Sequence, residues 1–149
     1  MALNTDWKEF LDLLESSGAE FLVVGAWARA FYGEPRMTGD IDFWIRASAE
    51  NASKVKKAIE EFGFGSLGIT ESDLTGEDQV IQLGFPPRRI DILTNLTGLT
   101  FDDAWKHRVQ GDLDEVPVNF ISREDFIKNK LELARPKDLA DVDALRSDR

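Results

Sequence analysis

A short apolar run that ends at a glycine and passes directly into a helix-like segment is the feature of this sequence that most constrains its fold. Residues 21–24 (Phe-Leu-Val-Val) are typical of a buried strand, Gly25 follows, and residues 26–32 are typical of a helix that Gly33 ends. Such a turn presents free backbone N–H groups at the positive end of a helix, which suits a phosphate group. Taken alone, the same pattern also fits an ordinary tight turn between a strand and a helix.

The rest of the chain carries the periodicities of several more helices and strands. Helices are predicted at residues 4–16, 49–62 and 101–109, after Ser122 and from Pro136 onward, and strands at residues 40–46, 79–83, 88–93 and 116–121. Because helices and strands alternate early and strands cluster later, we expect an α+β or mixed α/β fold, in which helices pack on a small mixed β-sheet. We expect residues 1–149 to form a single domain, with the last two helices, at about residues 122–146, as candidates for a small helical subdomain.

Composition limits the chemistry that this chain can support. The 149 residues include no cysteine and one histidine, His107. Disulfides, thiolate or histidine zinc sites and a thiol nucleophile are therefore excluded, and any metal must be bound by oxygen ligands. Because His107 lies in a polar helical stretch, we interpret it as a surface residue and not as a catalytic base.

Charge and hydropathy bear on the partners of the protein. The formal net charge is −10, which repels polyanions, so that a small molecule or a protein is a better partner than a nucleic acid. No apolar run approaches the roughly 18 residues that a membrane helix requires, and we expect no membrane partner. Residues 1–10 lack the basic and apolar regions of a secretory signal, which predicts a cytoplasmic location.

Acidic residues on two predicted strands are the strongest candidates for catalysis. Asp40 and Asp42 are two residues apart on one strand and therefore project from the same face. Carboxylates held side by side repel each other unless a cation such as Mg²⁺ lies between them. Asp91, which two isoleucines flank on a later strand, adds a third acid if the two strands are neighbours. The alternatives are a solvated acidic strand and a simple ion pair of Asp91 with Arg88 or Arg89.

Basic and hydroxyl side chains elsewhere could bind phosphate groups. The loop before the acidic strand carries Arg36, which can grip a phosphate with two hydrogen bonds, and Thr38. Near the C-terminal end, Lys130 and Arg135 precede two acids that share one face of the last predicted helix, Asp138 and Asp141. The alternatives are a surface loop in which Arg36 pairs with a neighbouring acid, and a solvated helix hairpin tied by surface ion pairs that contribute little each.

The order of these motifs resembles the signature of the polymerase-β-like nucleotidyltransferase superfamily. In that signature a hydrophobic residue, a glycine and a glycine or serine precede a spacer, an acid–hydrophobic–acid strand and a later strand acid. Here Gly25-Ala26 is followed by Asp40-Ile41-Asp42 and then by Asp91. Within the superfamily, the chain is similar to the small bacterial minimal-nucleotidyltransferase-like proteins. The strings that carry this similarity span about residues 21–145 and are FLVVGAWARAFYGEPRMTGDIDFWI, PPRRIDILTNLTG, FISREDFIKNK and RPKDLADVDAL.

The resemblance implies a nucleotidyltransferase-like fold and a Mg²⁺-dependent enzyme. Such an enzyme moves a nucleoside monophosphate from a nucleoside triphosphate (NTP), such as ATP, to a hydroxyl group of an unknown acceptor and releases pyrophosphate. The resemblance implies that Asp40, Asp42 and Asp91 are catalytic and bind two Mg²⁺ ions, or Mn²⁺, and that Asp91 helps to deprotonate the attacking hydroxyl. Residues implied by the resemblance and the loop and C-terminal candidates above together form one set of predicted nucleotide-binding residues. This set is Gly25, Ala26, Arg29, Arg36, Thr38, Lys130 and Arg135.

One position departs from the superfamily pattern. Ala26 stands where that pattern has glycine or serine, so it keeps the backbone N–H but adds a methyl group and lacks a hydroxyl. This departure favours an alternative, in which the chain is a catalytically weak or inactive nucleotide-binding member that acts with a protein partner, as in toxin–antitoxin systems. The presence of all three acids favours the enzyme.

Overall fold

A computed structural model of the protein describes residues 3–33 and 38–147. The helices are α1 (Thr5–Ser17), α2 (Gly25–Tyr32), α3 (Ala49–Ile59), α4 (Glu71–Thr75), α5 (Phe101–Lys106), α6 (Arg123–Leu133) and α7 (Pro136–Ser147). The strands are β1 (Phe21–Val24), β2 (Asp40–Ile45), β3 (Val80–Leu83), β4 (Arg89–Leu93), β5 (Val109–Leu113) and β6 (Val116–Phe120). None of the helices in the described ranges is long and apolar enough to cross a membrane.

The strands form one mixed sheet in the order β3-β4-β2-β1-β6-β5. β2 pairs with β4, and β1 with β6, in parallel, whereas the other neighbours are antiparallel. Parallel partners need long connections, and the segments between these partners contain the helices α2 to α5. The predicted α+β fold, a small mixed sheet with helices packed on it, is therefore confirmed.

Helix α1 covers one face of the central strand β2. Ile41 and Phe43 of β2 are fully buried on this face, and the ring of Phe10 from α1 lies 6.0 Å from the Phe43 ring. The Phe10 ring also lies 5.3 Å from the ring of Phe62, in the π-helical turn that follows α3. Asn4 is the N-cap of α1, because its side chain accepts a hydrogen bond from the backbone N–H of Trp7. Ile41 and Phe43 are thus held against a helix, and Asp40 and Asp42 point the other way.

The largest difference from the predicted elements is the strand β5. The predicted helix at residues 101–109 ends at Lys106, and Val109 instead begins β5. β5 pairs with β6 through a tight turn in which Asp114 and Glu115 adopt left-handed φ values of 48° and 71°. Asparagine and glycine are the residues that usually mark such turns, so this hairpin carries no clear sequence signal.

Candidate active site

Three carboxylates converge on one face of the sheet. Asp40 and Asp42 project from the same face of β2, and Asp91 lies opposite Asp42 in the parallel pairing of β2 with β4. Each acid offers one oxygen atom to a group whose oxygens all lie within 4.8 Å of one another. The structure therefore brings together the three acids that the sequence places in one site. Their roles as catalytic and metal-binding residues stay a prediction.

The positions of these acids are fixed by the apolar residues between them. Ile41, Ile90 and Ile92 alternate with the acids along β2 and β4, and each is at most 1% exposed. A slip of one residue in the pairing of the two strands would exchange the faces, so that acids would enter the core and isoleucines would leave it. The hydrophobic core thus determines where the carboxylates lie.

A single arginine joins two of the acids. Arg89 lies opposite Asp40 in the pairing of β2 with β4 and donates from Nη2 to Asp40 Oδ2 over 2.8 Å. It also donates from Nε to Asp91 Oδ1 over 2.9 Å and from Nη2 to Asp91 Oδ2 over 3.1 Å. Arg88, in contrast, points to Asp6 of α1, 3.5 Å away. The ion pair and the carboxylate cluster, which are alternatives for Asp91 in the sequence, are both present in the structure.

Arg89 is the functional candidate that the sequence-based set of site residues lacks. The signal in the sequence that could have identified Arg89 is its position two residues before Asp91, because residues at this spacing on a strand share a face. That spacing alone does not distinguish Arg89 from the many exposed arginines that pair with a nearby acid. The contact with Asp40, 49 residues away in the chain, depends on the order of the strands and could not be read from the sequence.

Asp42 is the acid whose ionisation is most strongly hindered. Burial raises the pKa of its carboxyl to about 8, the charges of Asp40 and Asp91 and a hydrogen bond with Asp91 act in the same direction, and Arg89 partly offsets them. Without a cation, burial and repulsion from Asp40 and Asp91 therefore disfavour the ionised form of the Asp42 carboxyl. A hard divalent cation bound by carboxylate oxygens would relieve this repulsion. The residues present thus fit Mg²⁺ or Mn²⁺.

The turn between β1 and α2 lies against the same acids. Val24 pairs with Asp42, and Gly25 then begins α2 with a left-handed φ of 66°. A Cβ atom on Gly25 would overlap Asp42 Oδ2 and lie 3.0 Å from Asp42 Cγ, so the position requires glycine. Val24 provides no side-chain cap for α2. The first backbone N–H groups of α2, including that of Ala26, therefore start beside the carboxylates without the usual cap.

The predicted phosphate-binding cations Arg29, Lys130 and Arg135 are tied to two acids of α7. Asp141 lies 3.4 Å from Arg29 and 3.7 Å from Lys130, and Asp138 lies 3.5 Å from Lys130 and 2.6 Å from Arg135. Asp138 is fully buried, and its hydrogen bond with Arg135 lowers the pKa of its carboxyl. The cluster thus joins α2 to α6 and α7. Nucleotide binding by these three cations stays a prediction.

Thr38 and His107 have local partners. Thr38 Oγ1 donates a hydrogen bond to Asp40 Oδ1 over 2.9 Å, so in this structure it orients an acid. His107 lies 3.0 Å from Asp125 through Nδ1, and 60% of its side chain is exposed, as expected for a surface residue. Arg36, the other candidate from the loop before β2, lies outside the described residues.

Comparison with known proteins supports the fold. No protein-family model matches the sequence, and no curated protein matches it. Among solved structures, the chain is similar to a crystal structure of the lincosamide antibiotic adenylyltransferase LnuA with lincomycin bound, with a TM-score of 0.57 and 16% identity over 99% of each chain. At this identity the likeness shows the fold, which is nucleotidyltransferase-like. The narrower resemblance to minimal-nucleotidyltransferase-like proteins stays a prediction.

Proposed function

We propose that the protein is a nucleotidyltransferase, which moves a nucleoside monophosphate from an NTP to a hydroxyl group. The observation that carries this proposal is the convergence of Asp40, Asp42 and Asp91 beside the first turn of α2. Carboxylates attract a divalent cation, and the start of a helix attracts a phosphate group. A complex of a divalent metal with an NTP satisfies both requirements at once.

The proposed reaction is an in-line displacement at the α-phosphorus of the NTP. The acceptor oxygen forms a bond to the α-phosphorus, the bond from that phosphorus to the bridging oxygen breaks, and pyrophosphate leaves with the electron pair. The proton of the acceptor hydroxyl passes to a carboxylate, for which Asp91 is the candidate. Bound Mg²⁺ would neutralise the charge that gathers on the phosphate oxygens. The backbone N–H groups at Gly25 and Ala26 would hold the phosphates in place.

The strand order supports separate approaches for the two proposed substrates. The turn at Gly25 lies on the β1 side of the acids, and the edge strand β3 lies on the other side, beyond β4. In-line displacement requires the attacking and leaving oxygens to be on opposite sides of the phosphorus. With the triphosphate at α2, the acceptor approaches from the side of β4 and β3. There Gln82 is exposed and lies opposite Asp91.

The acceptor that we propose is a small hydroxylated molecule, with ATP as the nucleotide donor. The similar solved structure is an antibiotic adenylyltransferase with an antibiotic bound, which supports both parts of this proposal. The formal net charge of −10 supports it as well, because an acidic surface disfavours a nucleic acid acceptor. A serine, threonine or tyrosine hydroxyl of a protein is the other acceptor compatible with this charge.

Ala26 favours a second candidate function, a nucleotide-binding protein without transferase activity that acts through a protein partner. The methyl group of Ala26 takes up space at the helix start, where the superfamily pattern has glycine or serine. In this case the protein would bind the metal–nucleotide complex and leave it intact. The two candidates therefore differ in turnover and not in binding.

The experiment that separates them uses two labels on the same nucleotide. Purified protein is incubated with Mg²⁺, a panel of small hydroxylated compounds or a cell lysate, and ATP labelled either at the α- or at the γ-phosphorus. Nucleotidyl transfer predicts label in the acceptor from the α-position only and loss of this label in Asp42→Asn. The matched control is Asp12→Asn, which removes an exposed carboxylate of α1.

Three other outcomes would contradict the proposal in different ways. Label from the γ-position would indicate phosphoryl transfer. Full activity of Asp42→Asn would show that the carboxylate cluster is not the site. Tight binding of ATP with no labelled acceptor, and no labelled product when the other three NTPs replace ATP, would favour the second candidate.

A further inference from the structure

We infer that Arg89 is a built-in cation of the carboxylate site, which holds Asp40 and Asp91 together and competes with a divalent ion for their oxygens. This inference rests on the proposed metal site and concerns what the chain itself contributes to that site. Arg89 would thereby weaken the binding of a divalent ion. Neither the partial exposure of its side chain nor its position two residues before Asp91 indicates this role.

The first observation is that every carboxylate oxygen of Asp40 and Asp91 already accepts a hydrogen bond. Arg89 donates to both oxygens of Asp91 and to Oδ2 of Asp40. Thr38 donates to the remaining oxygen, Oδ1 of Asp40. A divalent ion that binds all three acids must therefore share these oxygens with Arg89 and Thr38 or displace part of their hydrogen bonds. Each of these hydrogen bonds has a charged carboxylate as its acceptor and is therefore stronger than a hydrogen bond between neutral groups.

The second observation is that the sheet itself places the guanidinium group. Arg89 pairs with Asp40 just as Asp91 pairs with Asp42, so the side chain crosses one strand spacing to reach its partner. The backbone N–H of Arg89 donates to Gly39 O over 3.2 Å, which ties it to the residue before Asp40. About a quarter of the Arg89 side chain is exposed. Contacts with two neighbouring strands therefore fix the position of Arg89, unlike that of a fully exposed arginine side chain.

The third observation concerns charge. When a bound cation keeps all three carboxylates ionised, these groups and the guanidinium group of Arg89 carry a formal charge of minus two, which a single divalent ion neutralises. A second divalent ion would make the group positive unless Arg89 moved away. We therefore expect the nucleotide-free protein to bind one divalent ion, weakly, with Arg89 in place. The two ions that the sequence resemblance implies do not fit this charge balance without a nucleotide.

The test is the binding of Mn²⁺ to the nucleotide-free protein, measured by calorimetry and by the electron paramagnetic resonance of free Mn²⁺. In Arg89→Gln the competing charge is gone, and we expect the affinity for Mn²⁺ to rise about tenfold or more, since a unit charge within a few ångströms acts strongly on a divalent ion. Arg89→Lys keeps the charge but makes fewer hydrogen bonds, so its affinity is expected to lie between the two. The matched control is Arg88→Gln, which removes the neighbouring arginine that pairs with Asp6 and should bind Mn²⁺ like the unmodified protein.

Equal or weaker Mn²⁺ binding by Arg89→Gln would overturn the inference, and so would an equal gain in Arg88→Gln. If Arg89→Gln does not fold without metal, Arg89→Lys decides the question, because weaker binding than in the unmodified protein contradicts competition. Asp42→Asn in the Arg89→Gln background tests the metal site separately. Retained Mn²⁺ binding in that double variant would count against the proposed function, whereas failure of the Arg89 variants alone leaves nucleotidyl transfer untouched.

Discussion

Gly25 and Asp42 occupy adjoining positions in which only one of them can carry a side chain. Gly25 has a left-handed φ of 66°, and a methyl group built on it would overlap the Oδ2 atom of Asp42. The start of α2 therefore lies directly against Asp42. The space left by the missing side chain of Gly25 is the space that the Asp42 carboxylate occupies.

Gly25→Ala should lower stability more than its backbone strain explains. The left-handed φ alone costs about 1 kcal/mol for alanine, and the overlap with Asp42 adds about 1–3 kcal/mol. The control is Gly18→Ala, because Gly18 has a φ of 75° and open space around its missing Cβ. Chemical denaturation of both variants measures the difference. Equal losses of stability in the two variants would show that the Asp42 carboxylate is free to move aside.

Asp42→Asn should reduce the stabilisation by Mg²⁺–ATP without lowering the stability of the ligand-free protein. Without metal, the amide relieves the repulsion among the acids, so the melting temperature is expected to stay the same or to rise. Mg²⁺–ATP at about 100 times its Kd should stabilise the unmodified protein by about 2.7 kcal/mol, and a ~100-fold loss of affinity reduces this gain to about 0.4 kcal/mol. Thermal melts with and without Mg²⁺–ATP provide the measurement. An unchanged gain in Asp42→Asn would count against metal binding by this residue.

Substitutions at Ala26 should show whether a phosphate group binds at the start of α2. Ala26→Gly and Ala26→Ser match the superfamily pattern and are expected to keep or increase the affinity for ATP. Ala26→Val adds a β-branched side chain at the turn and is expected to weaken binding. Titration of each variant with Mg²⁺–ATP measures the order of affinities. If Ala26→Val binds as tightly as Ala26→Ser, the phosphates do not lie against this turn.

Asp138→Asn should change the response of stability to acid. The hydrogen bond with Arg135 lowers the pKa of the Asp138 carboxyl below its ordinary value of 3.8, so the ionised form stabilises the fold at any pH above that value. This stabilisation is lost as the pH falls through the lowered pKa. The variant is therefore expected to be about 1.5–3 kcal/mol less stable at pH 7, with a smaller difference below about pH 4. Urea denaturation across this range measures it, and a difference independent of pH would contradict the ionic role.

The sequence was most informative about local structure, at positions where the pattern of apolar, acidic and glycine residues has one simple physical explanation. The alternation of Asp40 and Asp42 with apolar residues predicted a half-buried strand with two acids on one face. The run of residues 21–24 before Gly25 predicted a buried strand that turns into a helix. Both predictions depend on periodicity over a few residues, which the core enforces.

The remaining features depend on contacts between distant parts of the chain. The strand β5 exists because β6 offers it a partner, and residues 109–113 have little strand character of their own. The contact of Arg89 with Asp40 requires β4 to lie beside β2, which local patterns do not reveal. Likewise, the contact of Arg29 with Asp141 depends on the packing of α2 against α7.

The parallel pairing of β1 with β6 has a consequence for the synthesis of this protein. Val23 pairs with Phe120, so one edge of β1 stays open until the ribosome has released the later strand. At about 5–20 residues per second, the interval between the two segments lasts roughly 5–20 seconds. During that time a wholly apolar strand presents unpaired backbone groups, which is a template for aggregation. Slower growth at low temperature or abundant chaperones should therefore raise the yield of folded protein.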